Sequence, residues 1–347
     1  MGQPNRPRVS VVMTAYNTAK YLPAAIESIL SQDEKNVELI IVDDGSTEDI
    51  RPALAPYEGK LRYIRRENGG LATACNTGLE AASADLVALC DSDDIHLPYR
   101  LSAHATLLEQ SPGAAHVASD LHTWDGEKIM IHSTLRDPSR SLGPVRDSFD
   151  EATRRCFGAP KTARERKLPL PPELLDRNVF QGRVPQLIAV DHIAWGGASM
   201  YRREALLAVG AHDPELRVWP DWGVASKLSK RYDLIYLDVP VLLYRQHGSQ
   251  LTKQQDPSSR GYYRVAETVW LNDPAFCAQF PDEANRLTHA ATLRMAGVHV
   301  RAGEWSEARR LLQRAIRAKP TDRAAYTAWL RSTVMLQAAR LRAALGR

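Results

Sequence analysis

The chain has 347 residues, 44% hydrophobic and 25% charged, which is the composition of an ordinary globular protein and excludes a disordered or fibrous one. Its formal net charge of +4 is small for this length and does not point to nucleic acid as a partner. The four cysteines, Cys75, Cys90, Cys156 and Cys277, form no C-x-x-C pair, which argues against a structural zinc or a disulfide framework and fits a reducing compartment. The first eight residues hold no apolar signal core, and Arg6 stands where a myristoylation motif beginning at Gly2 wants Ser or Thr. No apolar stretch approaches the roughly 18 to 20 residues that span a bilayer. The expectation is a soluble cytoplasmic protein, with peripheral contact at the inner face of a membrane left open.

Val9 to Met13 form an apolar run that reads as a buried strand. Lys20 to Ser31 then place Leu22, Ile26, Ile29 and Leu30 at helical spacing. A second strand, Leu39 to Val42, closes on Asp43-Asp44-Gly45-Ser46, and Arg62-Tyr63-Ile64 leads to the turn signal Asn68-Gly69-Gly70. A helix of small residues follows, with Leu71, Cys75, Leu79 and Ala82 on one face, before the strand Leu86 to Leu89. Fully apolar strands alternating with amphipathic helices predict a parallel sheet covered on both faces.

Ligands of such sheets bind beyond the carboxyl ends of the strands. Those ends carry Thr14-Ala15-Tyr16-Asn17, Asp43-Asp44 and Asp91-Ser92-Asp93-Asp94. Each of three crowded carboxylates disfavours ionisation of the others, so either solvent or a bound cation must offset the cost. Two carboxylates one residue apart suit a hard divalent ion, Mg²⁺ or Mn²⁺, which finishes its shell with water and substrate phosphates. Neither G-x-G-x-x-G after the first strand nor G-x-x-x-x-G-K-[ST] occurs, which disfavours a dinucleotide dehydrogenase or a P-loop NTPase.

From 134 to about 185 the pattern turns irregular, with Arg136-Asp137-Pro138-Ser139-Arg140 and Pro169, Pro171 and Pro172, and predicts a mobile excursion. Its basic residues either face an anionic ligand or are solvated. Regular structure resumes at Gly196 to Arg203, with a helix ending at Gly210. From about 284 the chain reads as helix. Leu311, Leu312, Ala315 and Ile316, stopped by Pro320, resemble one tetratricopeptide-type hairpin, with part of a second unit in Ala324 to Leu330. A solenoid needs about three repeats to bury its faces, so this tail is expected to pack on the rest of the chain or on a partner, a second copy included.

Val-Ser-Val-Val-Met-Thr-Ala-Tyr-Asn, Val-Asp-Asp-Gly-Ser-Thr, Asn-Gly-Gly-Leu-Ala-Thr-Ala-Cys-Asn-Thr-Gly-Leu and Asp-Ser-Asp-Asp follow one another in that order. The series resembles the family 2 glycosyltransferases, inverting enzymes of the GT-A fold, over residues 8 to 252. Gly196-Gly197 to Arg203, Val209 to Asp213, and Tyr244-Arg245-Gln246-His247 look like the family's later segments. The resemblance implies an α/β GT-A fold, with a mostly parallel central sheet and helices on both faces. It implies a domain of residues 1–255, its nucleotide half at about 8–110 and its acceptor half at 111–255, before a helical extension of 256–347.

The resemblance also assigns roles. Thr14, Tyr16 and Asp44 match residues that hold the base and ribose, with Asp43 beside them. Asn68, Gly70 and Asn76 fall in a motif flanking the nucleotide, and Ser92 lies on the same side. Asp91 and Asp93 match the metal-binding pair that carries the donor diphosphate, and Asp221 matches the catalytic base. Pro220 stands where the family usually has Glu, which puts a positioning contact to the acceptor in doubt. Asp221 also reads as a helix N-cap, and both roles are compatible. His247 is either a third metal ligand or merely hydrogen-bonded. Trp195, Trp219 and Trp222 either stack on sugar rings or fill a core.

The implied reaction moves a sugar from a nucleoside-diphosphate sugar, a UDP-sugar favoured, to a hydroxyl of a saccharide or lipid-linked acceptor in polysaccharide or glycolipid assembly. A nucleotidyltransferase is the first rival. It would release pyrophosphate and wants a glycine-rich basic loop where this chain has Thr-Ala-Tyr-Asn-Thr-Ala-Lys. An interaction protein with a decayed transferase domain is the second, and the intact D-x-D and Asp221 argue against it.

Overall fold

The computed structural model describes residues 6–137, 149–248, 250 and 255–344. They divide into two compact units, one reaching to residue 250 and the other made mainly of residues 255–344.

In chain order the first unit holds β1 (Val9–Ala15), α1 (Leu22–Leu30), β2 (Val37–Asp43), α2 (Arg51–Leu54), β3 (Arg62–Arg65), α3 (Leu71–Ala81), β4 (Leu86–Asp91), β5 (Ile95–His96) and α4 (Arg100–Glu109). It continues with β6 (Ala114–Trp124), β7 (Ile129–Ile131), α5 (Phe149–Cys156), β8 (Lys161–Thr162), β9 (Asn178–Gly182), α6 (Pro185–Val190, of which Ala189 and Val190 count with the second unit), β10 (Ser199–Arg202), α7 (Arg203–Ala208), α8 (Pro220–Ser229) and β11 (Asp233–Arg245). One sheet runs in the order β3-β2-β1-β4-β10-β6-β11-β9-β8, with β5 paired to β11 and β7 to β6.

The apolar runs predicted as strands are β1, β2 and β4, and they pair in parallel. Their side chains alternate between two cores. Val11, Met13, Ile41, Ala88 and Cys90 meet α1 and α4 through Ala25, Ile26, Ile29, Leu101 and Leu108. Val12, Ile40, Val42, Val87 and Leu89 meet α3, α7 and α8 through Cys75, Leu79, Leu206, Val224 and Leu228. Each fully buried Leu or Ile stabilises the sheet by about 1.5–3 kcal/mol, so the two apolar faces fix which way every strand faces.

Beyond β4 the sheet is mixed. β10 lies antiparallel between β4 and β6, β11 runs parallel to β6, and β9 pairs antiparallel with β11. The excursion after 134 is therefore partly regular: β8 and β9 add the far edge of the sheet, and Leu168, Leu170 and Val179 enter the first core. Prolines 169, 171 and 172 break the periodicity but leave these apolar anchors in place. Pro138, Ser139 and Arg140 lie outside the described residues.

The second unit is helical: α9 (Gln255–Val265), a π-helical turn (Ala266–Leu271), α10 (Pro274–Gln279), α11 (Pro281–Arg301), α12 (Trp305–Ala318) and α13 (Arg323–Ala344). Leu311 and Leu312 of α12 pack on Leu293 and Ala296 of α11 and on Ala328 and Trp329 of α13. Asp322 opens α13 by accepting from the Ala324 and Ala325 amides at 2.9 and 3.2 Å, and His289 Nε2 of α11 lies 3.0 Å from it.

Candidate active site

The register of the parallel strands places the first residues of the site. Thr14 is level with Asp91 on β4, and Ala15 is level with Asp43 on β2, so three strand ends form one row. The loops beyond them are tied together. Asp44 N donates to Ala15 O at 2.9 Å, and Asn17 Oδ1 accepts from the Thr47 amide at 2.8 Å. Thr18 and Ser92 share a hydrogen bond of 2.7 Å between their hydroxyls.

On the β2 side both carboxylates are held by protein donors. Asp43 accepts from the Ser46 amide at 2.8 Å, Tyr63 Oη at 2.8 Å and Arg65 Nη1 at 2.7 Å. Burial pushes its pKa up, but the Ser46 amide, Tyr63 and Arg65 outweigh that and hold it below the usual carboxylate range. Asp44 accepts from the Gly69 and Gly70 amides at 3.1 and 2.7 Å and pairs with Arg66. Asn68 returns a bond from Nδ2 to Asp44 O at 2.9 Å. Gly70 has φ +88 at the head of α3, a conformation that only glycine adopts without strain. Thr14 is buried and Tyr16 is 47% exposed, so of these two Tyr16 has the surface left to meet a ligand. Asn76 is turned to other use: its side-chain amide bonds the main chain of His212 in both directions, at 2.9 and 3.0 Å.

At the end of β4, Asp91, Asp93 and Asp94 form the acidic corner. Burial, then Asp93 and Asp221, push Asp91 up to about 7. Asp94 is 1% exposed and lies well above the ordinary value, first through burial and then through Asp93 and Asp91. The corner is latched to the end of β11. The Arg245 amide donates to Asp94 Oδ1 at 2.9 Å, its Nε donates to Asp93 O at 2.8 Å, and His247 Nε2 stands 2.8 Å from Asp93 Oδ2. The Arg245 guanidinium also lies over the rings of Tyr21 and Trp124. Behind the corner Arg100 is completely buried, donating to Leu89 O at 2.8 Å and Ser199 O at 2.9 Å, and its charge opposes the rise at Asp91.

Asp221 reaches the same corner from α8. The helix begins at Pro220, whose missing N–H and fixed φ suit a first helical position. The N-cap is Trp219, which makes no side-chain cap bond, so Asp221 is a first-turn residue rather than the cap. Its Oδ2 accepts from the Gly196 amide at 3.0 Å, and its Oδ1 accepts from the Trp222 amide at 2.9 Å. His192 Nε2 lies 3.3 Å from Oδ2. Burial pushes the carboxyl up, yet His192 and the two amides bring it down to about 2. Gly196 and Gly197 allow the approach: a Cβ at 196 would stand 3.2 Å from Asp221 Cβ, and one at 197 would stand 3.3 Å from Asp91 Oδ2.

The tryptophans divide. Trp222 is 2% exposed, and its Nε1 donates to Ile188 O at 2.7 Å, so it belongs to the core. Trp195 and Trp219 are only partly buried and flank His192, with ring centroids at 5.7 and 5.3 Å. Trp219 has φ +70, a strained conformation for a bulky residue and one that concentrates at functional sites.

Among the described residues no group of three or more His, Cys, Asp and Glu side chains could hold a metal ion. The corner still suits Mg²⁺ or Mn²⁺, because crowded carboxylates with raised pKa values form a partial oxygen set that phosphate oxygens and water complete. His192, Arg66, Thr18 and Arg100 carry no local sequence signal, and Arg245 stands out only as part of the family-like segment Tyr244 to His247. Each acts on a partner that the fold brings to it.

A sheet with its polar groups at the carboxyl ends of parallel strands, and a carboxylate facing them from a helix start, is the arrangement in which α/β sheets bind their ligands. The chain belongs to glycosyl transferase family 2, whose model matches residues 10–210, and a tetratricopeptide repeat model matches residues 289–332. Its relatives include an uncharacterized glycosyltransferase of Nostoc sp., 35% identical over 139 residues, 39% of this chain and 43% of that one. Glycosyltransferase GlyG of Streptococcus pneumoniae is 43% identical over 91 residues, 25% of this chain and 30% of that one. The chain thus spans less than half the length of these curated relatives.

Among solved structures, residues 1–349 of S. aureus TarS in complex with UDP-GlcNAc match with a TM-score of 0.63 and 15% identity, over 98% of this chain and 92% of that one. Mannosyltransferase PcManGT from Pyrobaculum calidifontis, in complex with GDP-Man and Mn2+, matches with a TM-score of 0.56 and 18% identity, over 96% of this chain and 86% of that one. At these identities the likeness is one of fold, and the fold is GT-A with a helical C-terminal region.

Proposed function

We propose that the chain transfers a sugar from a nucleoside-diphosphate sugar to an acceptor hydroxyl with inversion at the anomeric carbon. The observation that carries this reading is the Gly196–Gly197 turn, which packs against Asp221 on one side and Asp91 on the other. Asp221, ionised at neutral pH, takes the acceptor proton as the new C–O bond forms and the anomeric C–O bond to the diphosphate breaks. Asp91 and Asp93, with His247 against Asp93, are the residues that would hold a divalent cation, and it would supply positive charge opposite the departing diphosphate. Thr14 and Tyr16 meet the nucleoside, while Asp43, Asp44, Asn68 and Gly70 keep its loop in shape. Ser92, through Thr18, and Asn76, through His212, brace the surrounding walls. Trp195 and Trp219 offer faces to a saccharide acceptor.

A UDP-sugar is the favoured donor, on the strength of the UDP-GlcNAc in the TarS structure, and GDP-Man in PcManGT makes guanosine the alternative. The acceptor class is a saccharide or lipid-linked saccharide of polysaccharide or glycolipid assembly, met on the cytoplasmic side. The test is a panel of UDP-, GDP- and dTDP-sugars with and without Mn²⁺, read by thermal shift and by nucleoside diphosphate released. One nucleotide should stabilise the protein, and only with metal. Pyrophosphate as product would replace this reading with the nucleotidyltransferase one.

His192 has a separate consequence. His192→Phe keeps a ring against Trp195 but withdraws the group that lowers Asp221, so burial raises the carboxyl. The acid limb of turnover should move to higher pH, with donor affinity unchanged. An unmoved limb would mean that His192 does not tune Asp221.

A further inference from the structure

We propose that the outer face of α13 lies on an anionic membrane surface. Eight large apolar side chains are exposed among the described residues, and five of them, Tyr326, Leu330, Val334, Met335 and Leu341, stand on this one helix. Tyr326, Leu330, Val334 and Leu341 recur at intervals of four, four and seven, which sets them in one stripe about 22 Å long. The other side of the helix is already occupied: Ala325 and Ser332 are buried, and Ala328 and Trp329 pack on the core with α12. A helix apolar on both sides needs a second covering.

The charge on the helix selects the covering. Between Arg323 and Ala344 there are four arginines, at 323, 331, 340 and 342, and no Asp or Glu. A second copy docked through the same face about a two-fold axis would set this arginine-rich helix against itself with no acid on it to answer. Anionic lipid headgroups supply the missing charge, and the stripe enters the boundary between headgroups and acyl chains. Arg331 and Arg342 fall on one flank of the stripe at helical spacing, where they reach phosphate while Leu330, Val334 and Leu341 face the lipid. No described helix is long and apolar enough to cross a membrane, so α13 lies on the surface rather than through it. This inference does not depend on the identity of the donor.

The experiment is flotation of the full chain with vesicles of phosphatidylcholine alone and of phosphatidylcholine with about one third phosphatidylglycerol. The wild type should float with the anionic vesicles only, and added salt should weaken the association. Leu330→Ser with Val334→Ser, and separately Arg331→Gln with Arg342→Gln, should each weaken it at least tenfold. All of these side chains are solvent-facing, so melting temperature and nucleotide binding should stay at wild-type values. No association with the anionic vesicles, or association untouched by both pairs, overturns the proposal. So does a concentration-dependent dimer that the Leu330/Val334 pair abolishes, because a second copy then covers the face.

Discussion

Asp221→Asn should lower turnover by about 10² to 10⁴-fold, or roughly 3 to 5 kcal/mol of barrier, while metal-dependent nucleotide binding stays near wild type. The acceptor hydroxyl must lose its proton as it attacks, and the amide cannot take it. The substitution is not silent for the fold. Asp221 accepts two backbone N–H groups, from Gly196 and Trp222, one on each oxygen. Asn has one oxygen, so its NH₂ must face one of those donors, at a cost of about 1–3 kcal/mol. Turnover and melting temperature measured together therefore separate a base from a structural acceptor. A base loses activity far beyond what the modest destabilisation explains, whereas near-normal turnover would remove Asp221 from the mechanism.

The stability arm has a definite sign. The folded carboxyl titrates near 2, below its unfolded value, so its contribution is complete above about pH 4 and fades as pH falls from there towards 2. In Asp221→Asn that fading should be absent.

Asp91→Asn should do the opposite at the acidic corner, raising the stability of the metal-free protein while abolishing transfer. Burial, Asp93 and Asp221 push this carboxyl up to about 7, so ionising it costs the folded state free energy. Its folded pKa lies above the unfolded one, so the metal-free protein loses stability as pH rises from about 4 to 7. The neutral amide escapes that penalty. A divalent cation must displace the proton, so Mn²⁺ should raise the melting temperature more at pH 8 than at pH 6. In Asp91→Asn, metal-dependent nucleotide affinity should fall by at least about 100-fold, and the Mn²⁺ shift should vanish at both pH values. Full transfer in excess EDTA would sink the metal assignment.

What could be read before folding follows from where each residue finds its partners. β1, β2 and β4 are covered on both faces and read as largely apolar runs, so the parallel half of the sheet and its polar edge were legible. β6 was not, although it pairs along most of β11. Its sequence, AAHVASDLHTW, carries His116, Ser119 and Asp120 through a buried strand. These groups are tolerated because Ser199 Oγ meets His116 at 3.1 Å, His104 meets Ser119 at 2.8 Å, and the Leu135 amide meets Asp120 at 3.1 Å.

Spacing alone points to Asp91 and Asp93 only weakly, and their metal-binding role comes from the resemblance. Asp221 could be named only by resemblance, since nothing within the segment Trp-Pro-Asp-Trp points to Gly196 or His192. Asn76 shows the limit of motif reading. It lies in a segment that the resemblance sets beside the nucleotide, yet its amide holds α3 to His212.

The latch between the acidic corner and the end of β11 has a consequence for how the chain acquires its site. Asp94 meets Arg245 across 151 residues, and Asp93 meets His247 across 154. Every strand-end carboxylate of the corner has been synthesised by residue 94, but Arg245 and His247, which hold it, come only 151 and 154 residues after the carboxylates they meet. Closing a loop of that length is entropically dear, though each further doubling adds only about 0.6 kcal/mol, and such distant contacts slow folding. The nascent protein therefore has its parallel strands long before its acidic corner is fastened, and the site is completed from the far end of the first unit backwards.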